Sequence, residues 1–293
     1  MQEPKSFACF ASLTPKLEQE LNEDAATVFC GLESTLPAVA IADGLGSYTH
    51  ARDAAKFVID QIAVLSNELR LDSAESLTEL FTRLRQDLRD HVRSSLGAPP
   101  AEEGSYGTTL LIAVETPTQL LAAYAGNGGI WHLRGNFDDS TGPTRIPWCS
   151  VNYLQPHSVF VDGKERLYNL IDFSERLHDL PPTVITVTKD LRYGDIIALC
   201  TDGIYSADQA LHGIDPEGDL WIGAGAAMVA FYECLRSFFS CLCEEPDLKG
   251  TMQKYLQELR DRGLLEDDAT IGIIVTGAAL AHRQRKRRSV PGG

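Results

Sequence analysis

The stretch Ala38-Val39-Ala40-Ile41-Ala42-Asp43-Gly44-Leu45-Gly46-Ser47 ends an apolar, strand-like run on a carboxylate followed by a glycine turn. The same arrangement, an acid at the tip of an apolar run, recurs at Asn22-Glu23-Asp24, Thr201-Asp202-Gly203 and Asp267-Asp268-Ala269-Thr270. Buried carboxylates without partners are costly, so acids placed this way need a reason. They suit hard divalent cations such as Mg²⁺ and Mn²⁺, which prefer carboxylate, carbonyl and water oxygens. If the fold brings the four acidic segments together, the resulting site would hold two such ions.

Working outward from Asp43, Thr27–Cys30 and Pro37–Ala42 read as strands. Helical spacing follows over His50–Leu69, with Ala54, Phe57, Val58, Ile62 and Leu65 on one face, and over Leu77–Val92. The period then changes. Thr108–Val114, Gln119–Tyr124 and Gly129–Arg134 form a strand meander with short turns. Val184–Val187 and Asp195–Cys200 add strands, helices are expected at about 222–243 and 248–262, and Thr270–Val275 closes the chain as a strand. Hairpin-linked strands with grouped helices give an α+β class. Runs such as Leu110-Leu111-Ile112-Ala113-Val114 imply strands buried on both faces, hence sheet packed on sheet with helices outside.

We expect one domain over residues 1–281. Residues 135–183 are aromatic and weakly periodic and read as an irregular binding insertion. The tail 282–293, with Arg283, Arg285, Lys286, Arg287 and Arg288, reads as a basic disordered terminus. The net charge of −15 argues against general nucleic-acid binding. Seven cysteines without a C-x-x-C pair read as free thiols in a reducing cytoplasm. The apolar stretch Leu220–Cys243 carries Glu233 and Arg236 near its middle, so it reads as a core helix and not a membrane span.

Taken in order, the motifs resemble the metal-dependent serine/threonine phosphatases of the protein phosphatase 2C type, over roughly residues 20–276. Tyr106-Gly107-Thr108-Thr109-Leu110, Gly126-Asn127-Gly128-Gly129 and Gly194-Asp195 fall between the acidic segments where that family has related turns. The Asp43-Gly44-Leu45-Gly46-Ser47 form looks most like a bacterial branch. The resemblance implies a four-layer αββα sandwich, with two antiparallel sheets face to face and helices on both outer faces. It also implies two Mn²⁺ or Mg²⁺ ions. Asp43 would bridge them, Asp202 and Asp267 would complete the first, and Glu23 with the Gly44 carbonyl would support the second, with Asp24 as a neighbouring acid of the metal set. Asp43, Asp202 and Asp267 would then carry catalysis, in which cation-activated water attacks phosphorus in line with the leaving Ser or Thr oxygen. The implied partners are phosphoprotein substrates and a Ser/Thr kinase, and the implied state is a cytoplasmic monomer.

Two positions depart from the family pattern. Gln19 stands where many members have a phosphate-binding Arg, with Lys16 as a nearby substitute. Asn127 stands where the family has an Asp associated with a third, weaker metal site. Those departures motivate one alternative, a pseudophosphatase that docks a partner; a second, a hydrolase of small phosphorylated metabolites, turns on the 135–183 segment. His50 reads as a helix-start residue and not as a general acid, Asp195 as a plain turn residue, and Asp268 as a turn-shaping one.

Overall fold

Alternating small and branched apolar residues make the central strands self-sufficient on both faces. In β3 (Pro37–Asp43), Ala38, Ala40 and Ala42 point to one side, and Val39 and Ile41 to the other; all five are fully buried. That alternation places one strand between two hydrophobic cores. A computed structural model describes residues 4–14, 21–96, 105–135, 148–173, 180–206, 211–214, 220–223, 225–240 and 247–281. The expectations for Lys16, Gln19 and the tail 282–293 lie outside the described residues.

The sheet around β3 has the order β12-β6-β5-β3-β2. Its members are β2 (Asp24–Cys30), β3, β5 (Leu110–Glu115), β6 (Gln119–Ala125) and β12 (Thr183–Thr188). Every pairing in it is antiparallel. The second sheet has the order β1-β16-β13-β7-β8, from β1 (Phe7–Leu13), β16 (Ala269–Val275), β13 (Asp195–Cys200), β7 (Gly129–Gly135) and β8 (Trp148–Asn152). It too is antiparallel.

Three apolar clusters define four layers. Val39, Ile41, Leu111, Ala113, Ile130, Ile197, Leu199 and Ile274 fill the space between the sheets. Outside the first sheet, α1 (Ala51–Leu65) and α2 (Ala74–Leu96) bury Val58, Ile62, Leu80, Phe81 and Leu84 against the alanines of β3. Outside the second, α4 (Ala226–Ser240) and α5 (Leu248–Asp261) bury Phe231, Leu235, Tyr255 and Leu256. Burial of one large apolar side chain is worth about 1.5–3 kcal/mol, so these interfaces, and not helix propensity, hold the outer layers. The αββα sandwich implied by the motifs is therefore the observed fold.

Three local readings change. Residues 148–173 are not irregular: β8 extends the second sheet, β9 (Ser158–Val161) and β10 (Lys164–Leu167) form a hairpin, and β11 (Ile171–Asp172) pairs with β4 (Gly107–Thr108). The aromatics there are divided between existing cores: Tyr153 packs between the sheets and Phe173 packs under α1 and α2, while Phe160 is exposed. The expected helix from about 222 starts later, at Ala226. Residues Leu220–Gly223 form β15, paired with β14 (Leu211–Ile214), and Gly225 stands between that strand and the helix. Finally, β1 was not anticipated; it is an edge strand whose mixed burial gives a weak periodic signal. Among the described residues no helix is long and apolar enough to cross a membrane.

Candidate metal centre

The acidic motifs meet at one end of the sandwich. Asp24 and Asp43 face each other as the first and last residues of the β2–β3 ladder. Asp202 opens the short helix α3 (Asp202–Tyr205) directly after β13. The Asp43 carboxylate lies within hydrogen-bonding reach of those of both Asp24 and Asp202. Burial pushes the Asp43 carboxyl well above the usual range, and the charges of Asp24 and Asp202 push it further. Burial likewise raises Asp24 to about 7, opposed by hydrogen bonds from Thr270 and Thr201 and aided by the Asp268 charge.

The surrounding polar groups hold these acids in place. Thr108 Oγ1 donates to the Asp43 carbonyl (2.8 Å), as does Thr109 N (2.8 Å), while Asp43 N donates to Thr109 Oγ1 (3.1 Å). The Gly-Thr-Thr segment thus clamps the backbone of Asp43. Thr201 Oγ1 donates to Asp24 Oδ2 (3.0 Å) and accepts from Thr270 N (2.9 Å), which joins the Asp202 turn to the final strand. Asn127 Nδ2 donates to Asp202 Oδ2 (2.9 Å). Its side chain is therefore engaged in orienting Asp202, a role that its family position did not suggest.

Gly44 and Gly203 let the segments approach. A Cβ on Gly44 would meet the Ala51 carbonyl carbon at 2.6 Å, and one on Gly203 would overlap the Asp268 carbonyl oxygen. Close backbone approach explains both Asp-Gly pairs.

Glu23 and the two acids of the last motif sit differently from one another. Asp268 Oδ2 accepts from Glu23 N (2.7 Å), so Asp268 ties the first and last acidic segments together and does more than shape its own turn. Asp267 is exposed on the rim, with its Oδ1 accepting from Asp268 N (2.8 Å). Its backbone lies beside Gly203, which places it next to Asp202, but Asp24, Asp43 and Asp202 form the carboxylate cluster proper. His50 stands at the N-terminus of α1, stacked on Tyr106 and 3.4 Å from Asp53, as a helix-start residue would.

Two observations fit a divalent cation at this cluster. The three carboxylates repel one another, and the groups that bear most on them are acids and threonine hydroxyls. Asp24 Oδ1 is buried with no hydrogen-bond partner. Such an oxygen set is what Mg²⁺ or Mn²⁺ takes. As placed, the acids contact one another and do not surround a common point; among the described residues no three His, Cys, Asp or Glu side chains form a ready cage.

The fold and the acidic centre define an αββα protein with a carboxylate cluster at the end of the sheet pair. The chain belongs to the protein phosphatase 2C family, which it matches over residues 17–259. No curated protein matches the sequence. Among solved structures, the serine/threonine phosphatase Stp1 of Staphylococcus aureus is similar at TM-score 0.61 and 16% identity, covering 94% of this chain and 97% of that one. The Mycobacterium tuberculosis phosphatase PstP/Ppp is similar at TM-score 0.59 and 17% identity, covering 92% and 98%. A structure of the PstP catalytic domain, described as a complex with two manganese ions, is similar at TM-score 0.58 and 18% identity, covering 92% and 97%. At these identities the likeness establishes the shared fold.

Proposed function

We propose that this chain is a divalent-metal-dependent phosphatase that hydrolyses phosphoserine and phosphothreonine in proteins. The observation that carries the reading is the Asp24–Asp43–Asp202 cluster, set in a protein phosphatase 2C fold and without a basic side chain among its principal partners. Bound there, Mn²⁺ or Mg²⁺ would supply Lewis acidity and positive charge for in-line attack of water on a phosphomonoester.

The chain's own residues do the positioning. Asp43 would be the shared ligand, because it is the acid in contact with both others. Thr108 and Thr109 fix its backbone so that the carboxylate need not be reorganised on binding. Asn127 holds one oxygen of Asp202 and leaves the other for the cation. Thr201 does the same for Asp24. Asp267, exposed beside Gly203, would join as a rim ligand, and Glu23, whose backbone N donates to Asp268 and whose carboxylate lies beside Gly46 in the turn after Asp43, would support the second ion. Phosphoproteins are then the substrates, and the Ser/Thr kinase that modifies them is the opposing partner.

The test is phosphate release from a phosphothreonine peptide and from an aryl phosphate, with Mn²⁺ and with chelator. Turnover should require the metal and should fall to background in Asp43→Asn while the variant stays folded. A folded wild-type protein that binds Mn²⁺ yet turns over neither substrate would refute the proposal and leave a docking module in its place.

A further inference from the structure

At the opposite end of the sandwich from the acidic cluster lies a second polar centre built around Glu115. This residue ends β5, whose first residue, Leu110, follows the Thr109 that holds Asp43. Five steps of strand rise place Glu115 roughly 17 Å farther along the sheet. It is 2% exposed. Its two carboxylate oxygens are treated unequally. Oε1 accepts from Lys189 Nζ (2.7 Å) and from Ser6 Oγ (2.9 Å), and Ser6 Oγ in turn accepts from Gly277 N (2.8 Å). Oε2 is buried and has no partner.

A buried carboxylate oxygen left unpaired is among the more expensive omissions a fold can make, and such groups point to a missing donor. Here the residue that carries it borders open space. Glu115 lines two adjoining cavities, one of about 390 Å³ with Lys5, Ser6, Lys189, Asp190 and Thr276, and one of about 190 Å³ with Glu33, Arg70 and Asp72. Thr35 and Leu36 belong to the walls of both. The larger cavity opens where the two sheets end, since Ser6 precedes β1 and Thr276 follows β16 of one, while Glu115 ends β5 and Lys189 follows β12 of the other. Lys189 is already committed to Oε1, and the exposed Lys5 on the same wall makes no hydrogen bond to Oε2, so Oε2 itself still lacks an N–H donor that carries positive charge.

We propose that this distal cavity binds a guanidinium or ammonium group, which donates into Glu115 Oε2. The cavity is large enough for a metabolite-sized amine. Because Oε2 is covered, entry requires a small displacement of the cavity wall, to which Thr35 and Leu36 contribute in both cavities. Asp190, on the same wall, gives the bound cation a second acidic neighbour. The same chemistry is also present in this chain, since Arg283 and Arg285 follow Ala281, a residue of the cavity wall. A free amine and an arginine side chain would satisfy Oε2 equally.

The experiment titrates the full chain with L-arginine, agmatine and putrescine, read by calorimetry and by amide chemical shifts. At least one probe should bind saturably near one per chain, with shifts at Ser6, Glu115 and Gly277. Glu115→Gln keeps an oxygen for Lys189 and Ser6 but turns the Oε2 position into a donor, so it should weaken binding at least tenfold. An Arg283→Ser/Arg285→Ser variant separates the two sources. Equal probe binding in wild type and variant means a free ligand, whereas binding that appears or strengthens tenfold only in the variant means that the chain's own arginines occupy the site. Should Glu115→Gln fail to fold, the shift map on the wild type decides alone. Absence of saturable binding in both wild type and arginine variant, or shifts confined to the acidic end, would overturn the proposal.

Discussion

Replacing Asp195 by Asn should destabilise the protein while sparing the acidic centre. The side chain is fully buried at the start of β13. Its Oδ1 accepts from Arg134 Nε (2.7 Å) and pairs with His132 Nε2 (2.9 Å), and its Oδ2 accepts from Asp190 N (2.7 Å). An amide can supply an oxygen to only one of these sides. The other meets an NH₂ group, and a buried donor is left facing a donor. Removing one partner of a buried ion pair costs about 3–5 kcal/mol. Arg134 is 37% exposed and recovers some hydration, so we expect the lower end, about 3 kcal/mol. At the ~2–4 °C per kcal/mol typical of large domains, Tm should fall by about 6–12 °C. Burial alone would raise the Asp195 carboxyl, but hydrogen bonds from His132 and Arg134 prevail and hold it below the usual carboxylate range. A depressed folded-state pKa means stabilisation that is complete above the unfolded value of about 4 and lost as pH falls through the folded one. Thermal melts of wild type and variant should therefore differ most at neutral pH and converge in acid. Five strand steps, roughly 17 Å, separate Asp195 from Cys200 near the acidic cluster, so kcat at 25 °C should change by less than about twofold. Melts within about 1 °C of each other at pH 7, a gap that persists into acid, or loss of activity like that of Asp43→Asn would refute the argument.

Thr201→Val should remove the donor to Asp24 and leave Thr270 N, in a fully buried residue, without its acceptor. We expect about 2–3 kcal/mol lost in urea unfolding and weaker Mn²⁺ binding by calorimetry. Gly203→Ala drives a methyl into the Asp268 carbonyl and should separate the Asp202 turn from the last motif; a fall in metal affinity larger than the fall in stability is the expected signature. Asn127→Asp exchanges a hydrogen bond to a carboxylate for repulsion, so the metal-free protein should lose about 1.5–3 kcal/mol, and added Mn²⁺ should raise Tm more than it does in the wild type.

The sequence made the acids legible because each sits where an apolar strand stops, and that signal is local. Asp43 follows five buried residues, and Asp202 follows the six of β13 by one threonine. The layers were legible for the same reason, since strands apolar on both faces leave only a sandwich with helices outside. The roles of the neighbours were not local. That Thr201 reaches Asp24, 177 residues away, or that Asp268 binds Glu23 N across 245, depends on which strand ends the two sheets bring together. Asp195 shows the failure most plainly. After Gly194 it has the composition of a turn, yet it is buried, because His132 and Arg134 arrive from β7 on one side of β13 and Thr276 from just past β16 on the other.

The two ends of the sandwich also differ in how they handle buried charge. At the distal end, among the described residues, the buried carboxylates have a cation within the fold: Arg134 for Asp195 and Lys189 for Glu115. At the motif end, Asp24, Asp43 and Asp202 are set against one another, with threonine hydroxyls and an asparagine amide as their supports. A fold that neutralises its acids at one pole and not at the other is spending stability at the second. Coupling works in both directions: whatever cation relieves that repulsion is bound more tightly because of it, and the bound protein is more stable by the free energy of binding. On the proposed function, relief of this repulsion would thus contribute both to metal affinity and to the stability gained on binding. A variant such as Thr201→Val, which loosens Asp24 without removing a charge, should weaken the binding while leaving the repulsion that drives it.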